Sequence, residues 1–418
     1  MSSASVQLLE QLIALPSVNP LLTAPDDPDA GEGRVTDFLQ NFAQQQGWPW
    51  LRQSVHPGRD NFLALVGFGP NSVSEPPQGG AQAAPMLFEA HQDTVSTEGM
   101  TCNPFDAKHA QGRLYGRGAC DVKGGMAAML VALAEIGTDP DLPRPVLFAS
   151  TINEECGFTG VRALAELWSD TNGTSNHQTH GTLSSETVAR LKPRAAVVAE
   201  PTELDVVVSH RGVARWQVET HGRAAHSSQP SEGANAIYAM ASIVRAVQLY
   251  ESEVLAQRPE DPRCGRPTVS VTTFHGGTGA NTVPEIAAVN IDRRLSPEET
   301  PEEAFAELSR WIEEHAELLD CTVAHQPPWM QSHGLAEGDN LPLAKRLSNI
   351  AREVADTGQL KGVPYGANAA TLATAGISTV VFGPGSIAQA HTADEWIEVE
   401  QLEKAVEIYR RLALDLEE

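Results

Sequence analysis

The chain has 418 residues, 41% of them hydrophobic, with 34 glycines and 28 prolines: too long for one ordinary core and too apolar for a disordered protein. Its formal net charge of −25 repels phosphates, so neither a nucleic-acid nor a membrane partner is expected. An acidic substrate needs a local arginine or a metal ion to hold it. The segment "MSSASVQLLEQLIALPS" has no basic leader, and its Val6, Leu9, Leu12 and Ile13 recur at helical spacing. It therefore reads as an amphipathic helix, not a signal peptide. No stretch is long and apolar enough to span a membrane. The five cysteines (102, 120, 156, 264 and 321) are odd in number and lack CxxC spacing. They read as reduced thiols of a soluble, cytoplasmic protein.

Apolar runs bounded by turn residues predict buried strands at "NFLALVGF", "PMLFEA", "RPVLFAST", "AAVVAE" and "STVVFG". Helical patterns lie between them at 34–46, in "VKGGMAAMLVALAEIG" and at 157–168, and a last helix is expected at 400–416. Alternation of this kind predicts an α/β fold with a mostly parallel sheet covered on both faces. "GPNSVSEPPQGGAQAAP" (69–85) reads as a Gly/Pro-rich connection, and 169–186 as a polar loop with His177 and His180 in solvent.

From 208 to 326 the pattern changes. "GVARWQVETHG" alternates as a half-buried strand, and a helix follows with Ile237, Met240, Val244 and Val247 on one face. "PTVSVTTFHGG" and "AAVNIDRRL" are two further strands. "TPEEAFAELSRWIEEHAELL" opens with Thr300 as N-cap and Glu303 completing a capping box, and "CTVAHQ" is the fourth strand. This order is ferredoxin-like. It predicts an inserted domain at 208–326 within a catalytic, metal-binding domain made of 1–207 and 327–418.

The polar residues hardest to explain follow the predicted strands of the larger domain. His91 and Asp93 follow one, Glu154 and Glu155 another, Glu200 a third and His391 the last, while Asp121 sits in a glycine-framed turn entering a helix. Ligands bind at the carboxyl ends of strands in open α/β sheets, so these residues are expected to converge. Two imidazoles with several carboxylates suit Zn²⁺, Co²⁺ or Mn²⁺. An aspartate in a tight turn can bridge two such ions, and a free carboxylate beside them can act as general base. Taken singly, each motif has a duller explanation: an HxD histidine is usually structural, and Glu-Glu after a strand is usually a solvated turn. "GRGACDVKGG" fits no phosphate-binding pattern.

Taken together, "HQDTV", "LYGRGACDVKGGMAA", "INEECGFTG", "EPT", "GRAAHSSQPSEGANAI" and "GPGSIAQAHTADEW" resemble the M20 metallopeptidase family, in order and over nearly the whole chain. Within it the chain is most similar to the acetylornithine deacetylase and succinyl-diaminopimelate desuccinylase branch. The resemblance implies a zinc-peptidase-like catalytic domain with a lid and dimerisation domain inserted in it, and two divalent ions, Zn²⁺ before Co²⁺ or Mn²⁺. It implies that His91 and Glu200 hold one ion, Glu155 and His391 the other, and that Asp121 bridges them. Glu154 is then the general acid/base, and Asp93 orients His91. His226 is the histidine that reaches a partner subunit's site in a homodimer, and Asn281 and Arg294 contact the substrate carboxylate. Gly383 and Gly385 shape the loop that presents His391.

The expected activity is removal of an acyl group from a small N-acyl amino acid, N-acetylornithine first, as in arginine biosynthesis. A desuccinylase, a dipeptidase or glutamate-type carboxypeptidase, and a non-catalytic binding protein are the alternatives. One position departs from the family: Asn368 in "YGANAAT" stands where an acid is common, which counts against recognition of a cationic amino group.

Overall fold

The computed structural model describes residues 2–67, 84–137, 142–169 and 177–415. The connection expected at 69–85, apart from its last two residues, and part of the 169–186 loop lie outside them. The chain forms two compact units. One comprises Met1–Val208, Glu337–Lys361 and Ala367–Glu418, and the other Ser209–Ala336 and Gly362–Gly366.

The first unit is α/β. At the centre of its nine-stranded sheet lie, side by side, Ser378–Val381, Ala195–Val198, Met86–His91 and Val146–Thr151, each parallel to its neighbour. Arg59–Val66, Trp50–His56 and Thr179–Gly181 extend one side antiparallel. "MLFEAH" and "VLFAST" are buried at every residue, as strands covered on both faces must be. The helix Lys123–Ile136 is buried nearly all round because it lies between the sheet and the outer helices Ala4–Ile13 and Val399–Leu414. In register, His91 lies opposite Thr151, so the carboxyl ends of these two parallel strands finish level.

In the second unit, Thr268–Gly276, Ile286–Leu295, Gly212–His221 and Thr322–His325 form an antiparallel sheet in that order. The helices Ala236–Glu253 and Pro301–His315 complete the ferredoxin-like sequence of elements. Trp216, Met240, Ile243, Val247, Tyr250, Leu308 and Ile312 form its core.

Several local expectations shift. The buried seam of the first of these helices is Met240, Ile243, Val247 and Tyr250; Ile237 and Val244 flank it, because a core-facing stripe is wider than one row. Thr300 caps the Glu303 N–H at 3.2 Å, but its hydroxyl also takes the Glu303 carboxylate (2.8 Å), so the capping box is half formed. The short strand Met330–Ser332 pairs with Gly212–His221 and carries the unit past the expected limit of 326. His177 is half-buried and bonds the Ser54 carbonyl at 3.0 Å, whereas His180 is exposed.

Candidate metal centre

His91 is the last residue of its strand and is 2% exposed. Its Nδ1 donates to the Asp93 carbonyl at 2.9 Å, which turns Nε2 towards Asp121 Oδ1, 3.1 Å away. The other Asp121 oxygen, Oδ2, lies 3.3 Å from His391 Nε2. One carboxylate thus turns its two oxygens to two imidazoles from opposite ends of the chain. His91, Asp121 and Glu200 bring ligand atoms within 4.8 Å of one another, and so do Asp121, Glu155 and His391. Glu155 reaches His391 Nε2 at 3.2 Å.

Each side chain is placed by its own local device. Asp121 follows the turn Gly116–Cys120, and the N–H groups of Gly118, Cys120 and Asp121 itself converge on the buried Glu395 carboxylate. Glu200 is followed by Thr202, whose hydroxyl donates to the Gly383 carbonyl (3.1 Å) and accepts from the Gly383 N–H (3.0 Å). Only glycine fits at 383, since a Cβ there would lie 2.6 Å from the Glu200 carbonyl oxygen. Gly385 has a left-handed φ of +92°, and His391 one of +61°.

The Glu154–Glu155 pair sits on a turn that starts with Asn153 at a left-handed φ of 61°, a conformation asparagine tolerates. Asp93 holds this turn: Oδ1 accepts from the Glu154 N–H (3.0 Å) and Oδ2 from the Glu155 N–H (3.1 Å). Asn19 donates to Asp93 Oδ2 (2.7 Å) and to Asn153 Oδ1 (2.9 Å). Behind it, Arg59 pairs with the buried Glu32, which accepts the Asn153 N–H. Asp93 therefore sets the ring of His91 through its carbonyl and the acid pair through its carboxylate. None of Asn19, Glu32, Arg59, Asn153 and Glu395 stood out in the sequence. The signal was faint: Arg117 opens "RGACD", and Glu395 lies four residues after His391.

Crowding of acids dominates the electrostatics. Burial, reinforced by neighbouring carboxylates and opposed by His91, pushes Glu154 and Glu200 well above the carboxylate range. Burial raises Glu155 to about 7 against the hydrogen bond from His391. The Asp121 and Glu155 carboxylates raise His391 to about 10. Burial works against a charged His91, but Asp121 and Asp93 outweigh it. For Asp121, burial is outweighed by His391 and His91, which hold it below its ordinary value. Protons on the histidines thus offset the acids, and a divalent cation at each triad would take over that role. The donor set, two imidazoles with carboxylates around a shared aspartate, fits two such ions.

Of the remaining candidates, His226, Asn281 and Arg294 lie in the second unit and Asn368 in the first. His226 pairs across a short ribbon with Thr282, beside the exposed Asn281. Its Nδ1 accepts from the Ser228 N–H (3.2 Å), which leaves the ring proton on Nε2. Arg294 binds Asp292 at 2.7 Å, and Arg215 binds the same carboxylate at 2.6 Å. Two guanidiniums on one acid leave a net positive charge. Asn368 is not a surface residue: it is 1% exposed, and its amide donates to Glu89 Oε1 and Thr151 Oγ1, both at 3.0 Å. Its amide nitrogen is held against the buried carboxyl of Glu89.

A model of peptidase family M20/M25/M40 matches residues 87–415. A probable carboxypeptidase of Aspergillus terreus is 29% identical over 91% of this chain and 81% of its own length. An acetylornithine deacetylase of Buchnera aphidicola subsp. Schizaphis graminum is 26% identical over 97% and 96%. Among solved structures, a dinuclear metal-binding M20 peptidase of Bacillus subtilis (YXEP) superposes with a TM-score of 0.65 at 16% identity, over 98% of this chain and 96% of that one.

Proposed function

The chain belongs to peptidase family M20/M25/M40, and on that premise we propose that this metal-dependent amide hydrolase is an N-acyl amino acid deacylase acting first on N-acetylornithine, within arginine biosynthesis. The observation that carries the chemistry is the Asp121 carboxylate, divided between His91 and His391 with Glu154 and Glu155 beside it. In this reading His91, Glu200 and Asp121 hold one divalent ion, and Asp121, Glu155 and His391 the other. Zn²⁺ is the first choice, with Co²⁺ and Mn²⁺ as substitutes. When bound, such a pair supplies Lewis-acid activation of an amide carbonyl and of water.

The chain's own residues do the rest. Glu154, whose burial raises the proton affinity of its carboxylate, takes a proton from the attacking water in its ionised form and returns it to the leaving nitrogen. Asp93 keeps Glu154 and His91 in register. His226 offers its Nε2–H to the developing oxyanion. Arg294 and Asn281 take the substrate carboxylate; the surplus positive charge of the Arg215–Asp292–Arg294 cluster supports this.

We further propose a homodimer through the second unit, which we read as a lid and dimerisation domain. Thr268–Gly276 is a sheet edge, and Phe274, Tyr238 and Ile286 are exposed (44%, 64% and 52%), as suits pairing with a second copy. All five cysteines are free, which favours a reducing cytoplasm. No helix among the described residues is long and apolar enough to cross a membrane.

The test is hydrolysis of N-acetylornithine, N-succinyl-diaminopimelate, dipeptides and C-terminally blocked peptides by protein loaded with Zn²⁺ or Co²⁺. The expected result is a kcat/KM for N-acetylornithine at least about tenfold above the others, a difference of about 1.4 kcal/mol in transition-state binding. The 29% identical carboxypeptidase relative favours a second reading, cleavage of a C-terminal amino acid, and preference for peptides would establish it in place of the first.

A further inference from the structure

We propose that Glu395 is a positioning residue that couples the two ion sites by fastening the bridging Asp121 and the His391 loop to a single carboxylate. The inference rests on the two-ion reading above. Glu395 is 1% exposed and Arg117 2%. Glu395 Oε1 accepts from the N–H groups of Cys120 (2.8 Å) and Asp121 (2.9 Å). Its Oε2 accepts from the Gly118 N–H (3.0 Å) and from Arg117 Nη1 (2.7 Å). All four donors belong to the five residues Arg117–Asp121. The main chain of Glu395 joins in, its carbonyl accepting the Gly116 N–H at 3.1 Å.

This carboxylate belongs to the same loop as His391, four residues earlier. Next along the chain, Trp396–Glu398 pairs antiparallel with Arg113–Tyr115, just before the Asp121 turn. The second arm of Arg117 donates to the Ser96 carbonyl at 2.9 Å. The two segments that supply Asp121 and His391 are therefore tied together around one charge, behind the ligands and touching neither oxygen of Asp121. The His391 side chain is 50% exposed and meets Asp121 and Glu155 through Nε2, so the position of its loop sets where the ring sits. Its distance to Asp121 Oδ2 depends on the tie. His91 is different, because the Asp93 carbonyl orients it independently.

Replacing Glu395 by glutamine turns one acceptor oxygen into an NH₂ that faces N–H donors, leaving buried donors unmet. Outer-shell changes of this kind cost about 10–100-fold in metal affinity. For Glu395→Gln the weakening falls on the second ion, held by Glu155 and His391, while the first keeps His91 and Glu200. Titration of metal-free protein with Co²⁺, followed by calorimetry and visible absorption, reads both affinities. Circular dichroism melting of the same samples reads the fold.

Wild type is expected to bind two equivalents, and Glu395→Gln to bind one equivalent nearly as before and the second about 10–100-fold more weakly. Arg117→Lys, a milder change that loses the fork to Ser96, is titrated in parallel and carries the same test where Glu395→Gln does not fold. Its expected weakening of the second ion is smaller. Glu299→Gln, which loosens an ion cluster with Arg258 and Arg293 in the second unit, is the stability control and should leave both affinities unchanged. Unchanged second-ion affinity in the variants that fold, or the same weakening in Glu299→Gln, overturns the proposal. Wild type that fails to bind two ions overturns the two-ion reading instead.

Discussion

In the His91, Asp121 and Glu200 triad every side chain is buried, whereas the Asp121, Glu155 and His391 triad ends on a half-exposed histidine with a left-handed backbone. His91 and Glu200 come directly from the ends of central parallel strands; His391 comes from a loop ten residues beyond its strand. Sheet ends place two members of the first triad, His91 and Glu200, whereas hydrogen bonds between loops place His391 and the shared Asp121. On the two-ion reading proposed above, the comparison predicts unequal ion sites, one preformed and one adjustable, that would share Asp121.

The largest effect belongs to neither triad. Glu154→Gln should lower kcat by about 10²–10⁴-fold while leaving metal content unchanged, measured by steady-state kinetics beside elemental analysis. Loss of metal in that variant would make Glu154 a ligand and redraw the second triad.

Next come the histidines. His391→Ala should retain one ion and lose the other, whereas His91→Ala should weaken the tighter site; equilibrium dialysis against Zn²⁺ separates the two. Equal losses in both variants would erase the contrast between the sites.

The pH dependence of the metal-free protein is a smaller effect with a definite sign. Glu155 is raised to about 7, so its contribution is intact below its ordinary value of 4.5 and is lost as pH rises through about 7. His391 is raised to about 10, so its contribution is intact below 6.5 and is lost as pH rises through about 10. Metal-free protein should therefore lose stability as pH rises from about 5 to 10, and Zn²⁺ should raise the melting temperature more at pH 8 than at pH 5.5. An equal rise at both values would separate the ions from these groups. The smallest effect is Asn19→Ala, which leaves Asp93 its two backbone donors and should cost up to about tenfold in kcat with KM little changed.

Most of the residues that meet at the centre were legible in the sequence because they follow strands whose apolar runs announce themselves: "MLFEAH" ends on His91 and "VLFAST" leads to Glu154, while Asp121 is marked by its glycine-framed turn. The ferredoxin-like pattern was legible for the same reason, with periods of 2 and 3.6 alternating cleanly. The supports were not. Glu395, Glu32 and Asn19 act on backbone N–H groups or amides distant in sequence, and nothing local distinguishes a buried carboxylate in "HTADEW" from a solvated one. The surroundings of Asn368 were equally hidden: the fold turns its amide inward to meet Glu89, a carboxyl buried in an apolar strand.

The most direct test of the central claim, two unequal ion sites joined by Asp121, is a stepwise Co²⁺ titration of metal-free wild type with amide hydrolysis followed at each addition. The account predicts two equivalents, the first bound more tightly and the second bringing most of the activity. Saturation at one equivalent, or two identical and independent sites, would contradict it.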